Sequence, residues 1–205
     1  MTVESIGKQH ELTRTEDLVS KRPRLEPIEK PKGLKLRFLY WMISRRFGIV
    51  PTSIKVGVAR APKILGVASA MGKFESKGIH LGKELPYMIN IFVAGTNGCG
   101  FCLDVGRMLA VKDNMNMEKI NALPVYRTSS LFSDKERAAL AYAEEATLNK
   151  HVSDATFNEL QKYYSDRDIV EITIITAIQN FTNLTNIPLG IGSDGLCAIA
   201  QSRKK

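Results

Sequence analysis

The sequence is short of residues that ligate metals. Three histidines and three cysteines are scattered over 205 residues, and a closed zinc site gathers four such ligands. No stretch of about eighteen residues stays apolar throughout, which excludes a membrane-spanning helix. The opening, "MTVESIGKQHELTRTEDLVS", has no apolar core of a secretory signal. Its acids Glu4, Glu11, Glu16 and Asp17 argue against a mitochondrial presequence. The expected compartment is therefore the cytoplasm, a reducing place where structural disulfides are rare. "KRPR" at 21–24 is too short a match to be read as an address.

The charge is not spread evenly. The formal net charge is +8, yet residues 1–60 hold 13 basic against 6 acidic residues, leaving 16 against 15 for the rest. A basic front end on a near-neutral body does not describe a nucleic-acid-binding domain. It reads as a solvated arm, with association to an anionic membrane surface left open. Pro23, Pro27 and Pro31 break any helix there. The expected organisation is a flexible basic leader over 1–32, a domain over 33–192 and a loose tail over 193–205.

Within the domain the pattern is helical, and the fold class expected is an all-α bundle. Leu36, Leu39, Tyr40, Ile43 and Phe47 fall at spacings of three and four, and Gly48 and Pro51 stop that segment. The stripe predicts packing on the body rather than on a membrane. Residues 61–76 read as a helix with Pro62 in its first turn. Residues 83–96 read as a buried helix, and 99–112 as another capped by Asn97. Ser133 with Glu136, and Ser165 with Asp168, match the capping pattern at two helix starts. Ser153 opens a shorter helix to about Tyr163. The segment after Ser165 is rich in β-branched residues, but about twenty residues is too long for a strand. Pro188 ends it.

Two of the three cysteines stand three apart in "NGCGFCLDVG", residues 97–106. At i and i+3 on a helix they share a face. Their separation permits a disulfide. A helix N-terminus also stabilises thiolate, the form that attacks peroxides and disulfides. Spacing alone leaves two readings open: a redox pair of Cys99 and Cys102, or two small core residues. A metal clip is disfavoured because only Cys197 and the scattered His10, His80 and His151 remain as further ligands. No metal and no cofactor is expected.

The segment "ELPYMINIFVAGTNGCGFCLDVGRMLAV" resembles the alkylhydroperoxidase D-like superfamily, also called carboxymuconolactone decarboxylase-like. "LFSDKERAALAYAEEAT" and "FNELQKYYSDRDIVEITIITAIQNFTNLTNIPLG" extend the resemblance, which runs from about residue 34 to 190. It implies an all-α homo-oligomer and a cytoplasmic thiol-dependent oxidoreductase. The substrate implied is a peroxide or a disulfide, the second partner an external dithiol. By the family's order Cys102 attacks and Cys99 resolves, whereas the thioredoxin-like order and exposure at the helix tip favour Cys99 as the attacking sulfur.

Two positions depart from that family. Peroxidase members carry a histidine four residues after the second cysteine, where this chain has Gly106, and a glutamate twelve before the first, where it has Tyr87. Those groups form the proton relay that activates the thiol. Candidate supporting residues here are Glu84, one turn before Tyr87, then Tyr87 itself and Arg107. Asp104 points about 200° round the helix from Cys102, so it is a poor base. The alternative to an oxidoreductase is a non-peroxidatic member of the fold, binding a small molecule or sensing redox state as an oligomer. Lactone decarboxylation is disfavoured, since no separate histidine site is present.

Overall fold

The structure, a computed structural model, describes residues 22–77 and 79–203. Every regular element among them is helical. Helix α1 spans Leu34–Phe47, α2 Ile64–Lys77, α3 Glu84–Thr96, α4 Gly100–Lys112 and α5 Met117–Asn121. Then come α6 Asp134–Asn149, α7 Asp154–Gln161, α8 Asp166–Asn186 and α9 Leu196–Ser202. Short 3₁₀ turns follow α5 and α8, and a π-helical turn lies at Ile54–Val58.

Helix α3 is the hub. It packs against α4, α6 and α8, and Leu85, Met88, Ile89, Ile91, Phe92, Val93 and Ala94 on it are all buried. A helix apolar all round must be enclosed on all sides, which is why the pattern of 83–96 has no polar face. Helix α8 turns Ile169, Ile172 and Ile175 into the same core. Its β-branched residues are tolerated because burial outweighs their small propensity penalty.

Helix starts follow local chemistry. Ser133 Oγ accepts from the Glu136 N–H at 3.3 Å, and Glu136 Oε2 accepts from the Ser133 N–H at 2.9 Å. Ser165 and Asp168 repeat that reciprocal pair at 3.3 and 3.2 Å. Each closes two otherwise orphan donors. In α1, Tyr40 and Ile43 are buried, while Leu34, Phe38, Trp41 and Met42 are exposed. The expected stripe packs inward, and a second apolar face, not expected, looks outward.

Three expectations change. The 193–205 segment is not a loose tail through its described part: α9 packs on α4, burying Leu196 and Ala200. It was illegible because its anchor, Asp104, is about ninety residues away in sequence. The segment expected to be leader includes 22–32, which is irregular but tied down. The Arg24 N–H donates to Leu189 O at 2.9 Å, and Tyr40 Oη donates to Ile28 O at 2.8 Å. The rest of that leader, 1–21, lies outside the described residues. Finally, Asn97 does not cap α4; Cys99 does.

Candidate active site

Cys99 is the N-cap of α4. It has extended backbone angles (φ −84°, ψ 90°), and its Sγ accepts from the Cys102 N–H at 3.3 Å. The chain reaches that geometry through a tight turn after α3. Gly98 sits at φ 68°, a left-handed conformation that a residue without Cβ adopts at little cost. The Cys99 N–H returns to Ala94 O at 2.9 Å, locking the turn to the end of α3. Cys102 is therefore the third residue of α4. The two Cα atoms are 5.3 Å apart and the sulfurs are joined as a disulfide. Cys99 is 1% exposed and Cys102 9%.

A row of amides on α8 backs the pair. Asn186 Nδ2 lies 3.8 Å from Cys102 Sγ and donates to Thr182 O at 2.7 Å. Asn183 Nδ2 donates to Val93 O at 3.3 Å, and Asn183 Oδ1 accepts from Gln179 Nε2 at 2.7 Å. Asn180 Oδ1 accepts from Asn97 Nδ2 at 2.9 Å. Asn97, unused as a cap, thus ties the α3–α4 turn to α8. Asn183 and Asn186 are buried, and buried amides persist where they are hydrogen-bonded. Three asparagines three apart in "NFTNLTN" were the visible signal: one polar line along an otherwise apolar helix.

The supporting candidates take other partners. Tyr87 Oη donates to Asp113 Oδ2 at 2.5 Å. Asp113 caps the far end of α4, about 16 Å along the axis from Cys102. Burial, then Asp113, pushes the Tyr87 phenol above its ordinary value, so it is no base. Glu84 stands 3.8 Å from Lys119, whose ammonium is paired more closely with Glu136 at 2.6 Å. Arg107 is half-buried with its Nε unpaired, and its charge acts on Cys197. Gly106, at the family's histidine position, is close-packed. A Cβ there would lie 2.8 Å from Ile91 Cγ1.

Asp104 is a structural anchor. It is buried and accepts four hydrogen bonds, from Ser193 Oγ (2.9 Å) and from the N–H groups of Asp194 (3.1 Å), Leu196 (2.8 Å) and Cys197 (2.8 Å). It thereby fixes α9 against α4. Cys197 sits at that joint, and burial, then Asp104, raises its thiol against the pull of Arg107. His80 is exposed, with Nδ1 3.0 Å from Asp168 Oδ1. Among the described residues no group of three or more His, Cys, Asp or Glu is placed to hold a metal. None of their helices is long and apolar enough to cross a membrane.

Comparison with known proteins agrees with this architecture. The Carboxymuconolactone decarboxylase family profile matches residues 67–145. The chain is 31% identical over 181 residues to the uncharacterised protein YnjA of Escherichia coli K12, covering 87% of this chain and 98% of that one. A solved structure from Agrobacterium tumefaciens, a protein of unknown function with a suggested AhpD-type antioxidant-defence role, superposes with TM-score 0.61. It is 25% identical and covers 65% of this chain and 93% of its own. The debrominase Bmp8 in complex with 2,3,4-tribromopyrrole shares the fold with TM-score 0.73 at 22% identity, covering 91% and 100%. The chain belongs to the carboxymuconolactone decarboxylase and alkylhydroperoxidase D-like superfamily. Its all-helical fold and its cysteine pair fit a thiol-dependent function.

Proposed function

We propose that the protein is a thiol-dependent oxidoreductase that reduces a hydroperoxide or a disulfide through Cys102 and Cys99. The observation that carries this reading is the placement of both sulfurs within bonding reach at the N-terminus of α4, each with a hydrogen-bond donor. Cys99 Sγ has the Cys102 N–H, and Cys102 Sγ has the Asn186 amide. In the reduced state the same donors favour thiolate over thiol. Cys102, the more exposed residue of the two, is the attacking one.

With a hydroperoxide, the Cys102 thiolate attacks the terminal oxygen and the O–O bond breaks. Cys102 becomes a sulfenic acid, and the alkoxide leaves as an alcohol after taking one proton. Cys99 then attacks the Cys102 sulfur, forming the disulfide and releasing water. An external dithiol restores both thiols by two exchanges and is itself oxidised. A disulfide substrate enters at the same sulfur through a mixed disulfide.

The test is consumption of cumene hydroperoxide with dithiothreitol. Cys102→Ser abolishes turnover on this reading and Cys99→Ser abolishes the intramolecular disulfide, leaving the sulfenic acid to be reduced by dithiothreitol directly; undiminished turnover in Cys102→Ser overturns it. The second reading, a redox-sensing or small-molecule-binding oligomer without peroxidase turnover, is favoured by the filled Gly106 position. A reversible change in assembly size on oxidation, with inert thiols, selects it.

A further inference from the structure

Helix α1 is apolar on two opposite sides. One side carries Tyr40 and Ile43, buried against the body. On the other, Leu34, Phe38, Trp41 and Met42 fall within about 100° of helix surface at 3.6 residues per turn. They are exposed, from 47% at Met42 to 82% at Leu34. The Phe38 and Trp41 rings stack with centroids 5.6 Å apart, so the stripe is continuous across the middle of the helix. Its borders carry one sign of charge. Arg37 flanks it on one side, Lys35 and Arg46 on the other, and Arg45 lies over the Trp41 ring at 5.5 Å. All four cations are exposed. The sequence from 30 to 74 holds ten Lys or Arg and no Asp or Glu. Glu29, just before it, is paired with Lys55 at 2.8 Å. At the C-terminal end of α1, Lys112 Nζ donates to Arg46 O at 3.3 Å. Burial, then Arg46 and Arg203, lowers the Lys112 ammonium from its ordinary value, as a locally positive field does.

We propose that this face of α1 docks the protein on an anionic lipid surface, the helix lying in the headgroup plane with the Phe38–Trp41 stripe inserted and the bordering cations on the lipid phosphates. A helix with aromatic and aliphatic residues on one strip and Lys and Arg along its edges meets both halves of such an interface. The apolar strip leaves water, and the cations meet the negative surface potential. A second copy of the chain fits less well, because two such faces brought together set basic borders against basic borders. A nucleic acid would use the cations but leaves Leu34 and Met42 without an apolar contact. The inference does not depend on the cysteine chemistry.

Trp41 is the chain's one tryptophan, so its fluorescence reports this face alone. The full chain is titrated with phosphatidylcholine vesicles prepared with and without phosphatidylserine. The expected result is a blue shift of Trp41 emission, and flotation of the protein, with the phosphatidylserine vesicles only, both weakened by added salt. Phe38→Gln with Met42→Gln weakens that binding at least tenfold. Lys35→Gln with Arg37→Gln does so by a similar factor and flattens the salt dependence. These side chains are exposed, so the circular dichroism spectrum is unchanged in both variants. Absence of a blue shift with phosphatidylserine vesicles, equal binding to both vesicle types, or unchanged affinity in the Phe38, Met42 pair overturns the proposal. So does a blue shift on raising protein concentration without lipid, which assigns the face to a second copy. Tighter binding of duplex DNA than of the vesicles, lost in the Lys35, Arg37 pair, overturns it in favour of nucleic acid.

Discussion

Gly106 shows how one residue reshapes a site. Where the resembled peroxidases carry a relay histidine, this chain brings α3 and α4 close enough that a Cβ would meet Ile91 at 2.8 Å. Gly106→His should therefore cost about 1–3 kcal/mol of stability, read as a lower midpoint in urea. Ile91→Ala in the same chain should recover part of it and raise peroxide turnover, since it opens room for an imidazole. The departure at Gly106 is plain in the sequence; its partner Ile91 is not, because helix–helix contacts carry no local signature. Asn186 was missed for the same reason, although its place in a three-spaced asparagine row was in view. Asn186→Leu should raise the Cys102 thiol and slow its alkylation at neutral pH by about tenfold, the scale of one lost hydrogen bond to a charged group. The check is iodoacetamide rate against pH with Cys99→Ser in place.

At the scale of elements, what was legible is what is local. Helix bounds at Ser133 and Ser165 follow from side chains three residues apart, and the enclosed helix α3 follows from its all-round apolarity. What was not legible is what is non-local: α9, the anchoring of 22–32, and the pairing of Tyr87 with Asp113 and of Glu84 with Lys119. Asp104 is the clearest case, an acid whose four partners lie in 193–197. Asp104→Ala strands three backbone N–H groups and should cost about 3 kcal/mol, with hydrogen exchange rising first in α9. The capping carboxylates give a pH signature. Burial alone would raise Glu136, but Lys119 and Ser133 outweigh it and lower it. His80 first, then Ser165, hold Asp168 below its ordinary value. Their stabilisation is present above the unfolded-state values and is lost as pH falls through the folded ones. A Glu136→Gln, Asp168→Asn variant keeps both capping oxygens but loses their charge, and should lose about 0.5 kcal/mol per site at neutral pH. It should converge on the parent in urea midpoint as pH falls through the lowered folded-state values.

On the scale of the whole molecule, two apolar faces are left uncovered among the described residues. One is Leu34, Phe38, Trp41 and Met42 on α1; the other is Val170, Ile174, Phe181 and Leu184 on α8. Patches of this kind mark association surfaces. The α8 stripe was hidden because its residues fit a buried helix equally well. The disulfide joins Cys99 and Cys102 at the start of α4, and Cys197 is left outside it as a free thiol, held up by burial and by Asp104. That division of the three cysteines permits a direct count. Fully reduced protein, mixed anaerobically with one equivalent of cumene hydroperoxide, should lose two of its three thiols. Peptide mass spectrometry should find Cys99 joined to Cys102 and Cys197 still alkylatable. Three surviving thiols, or oxidation confined to Cys197, would contradict the account.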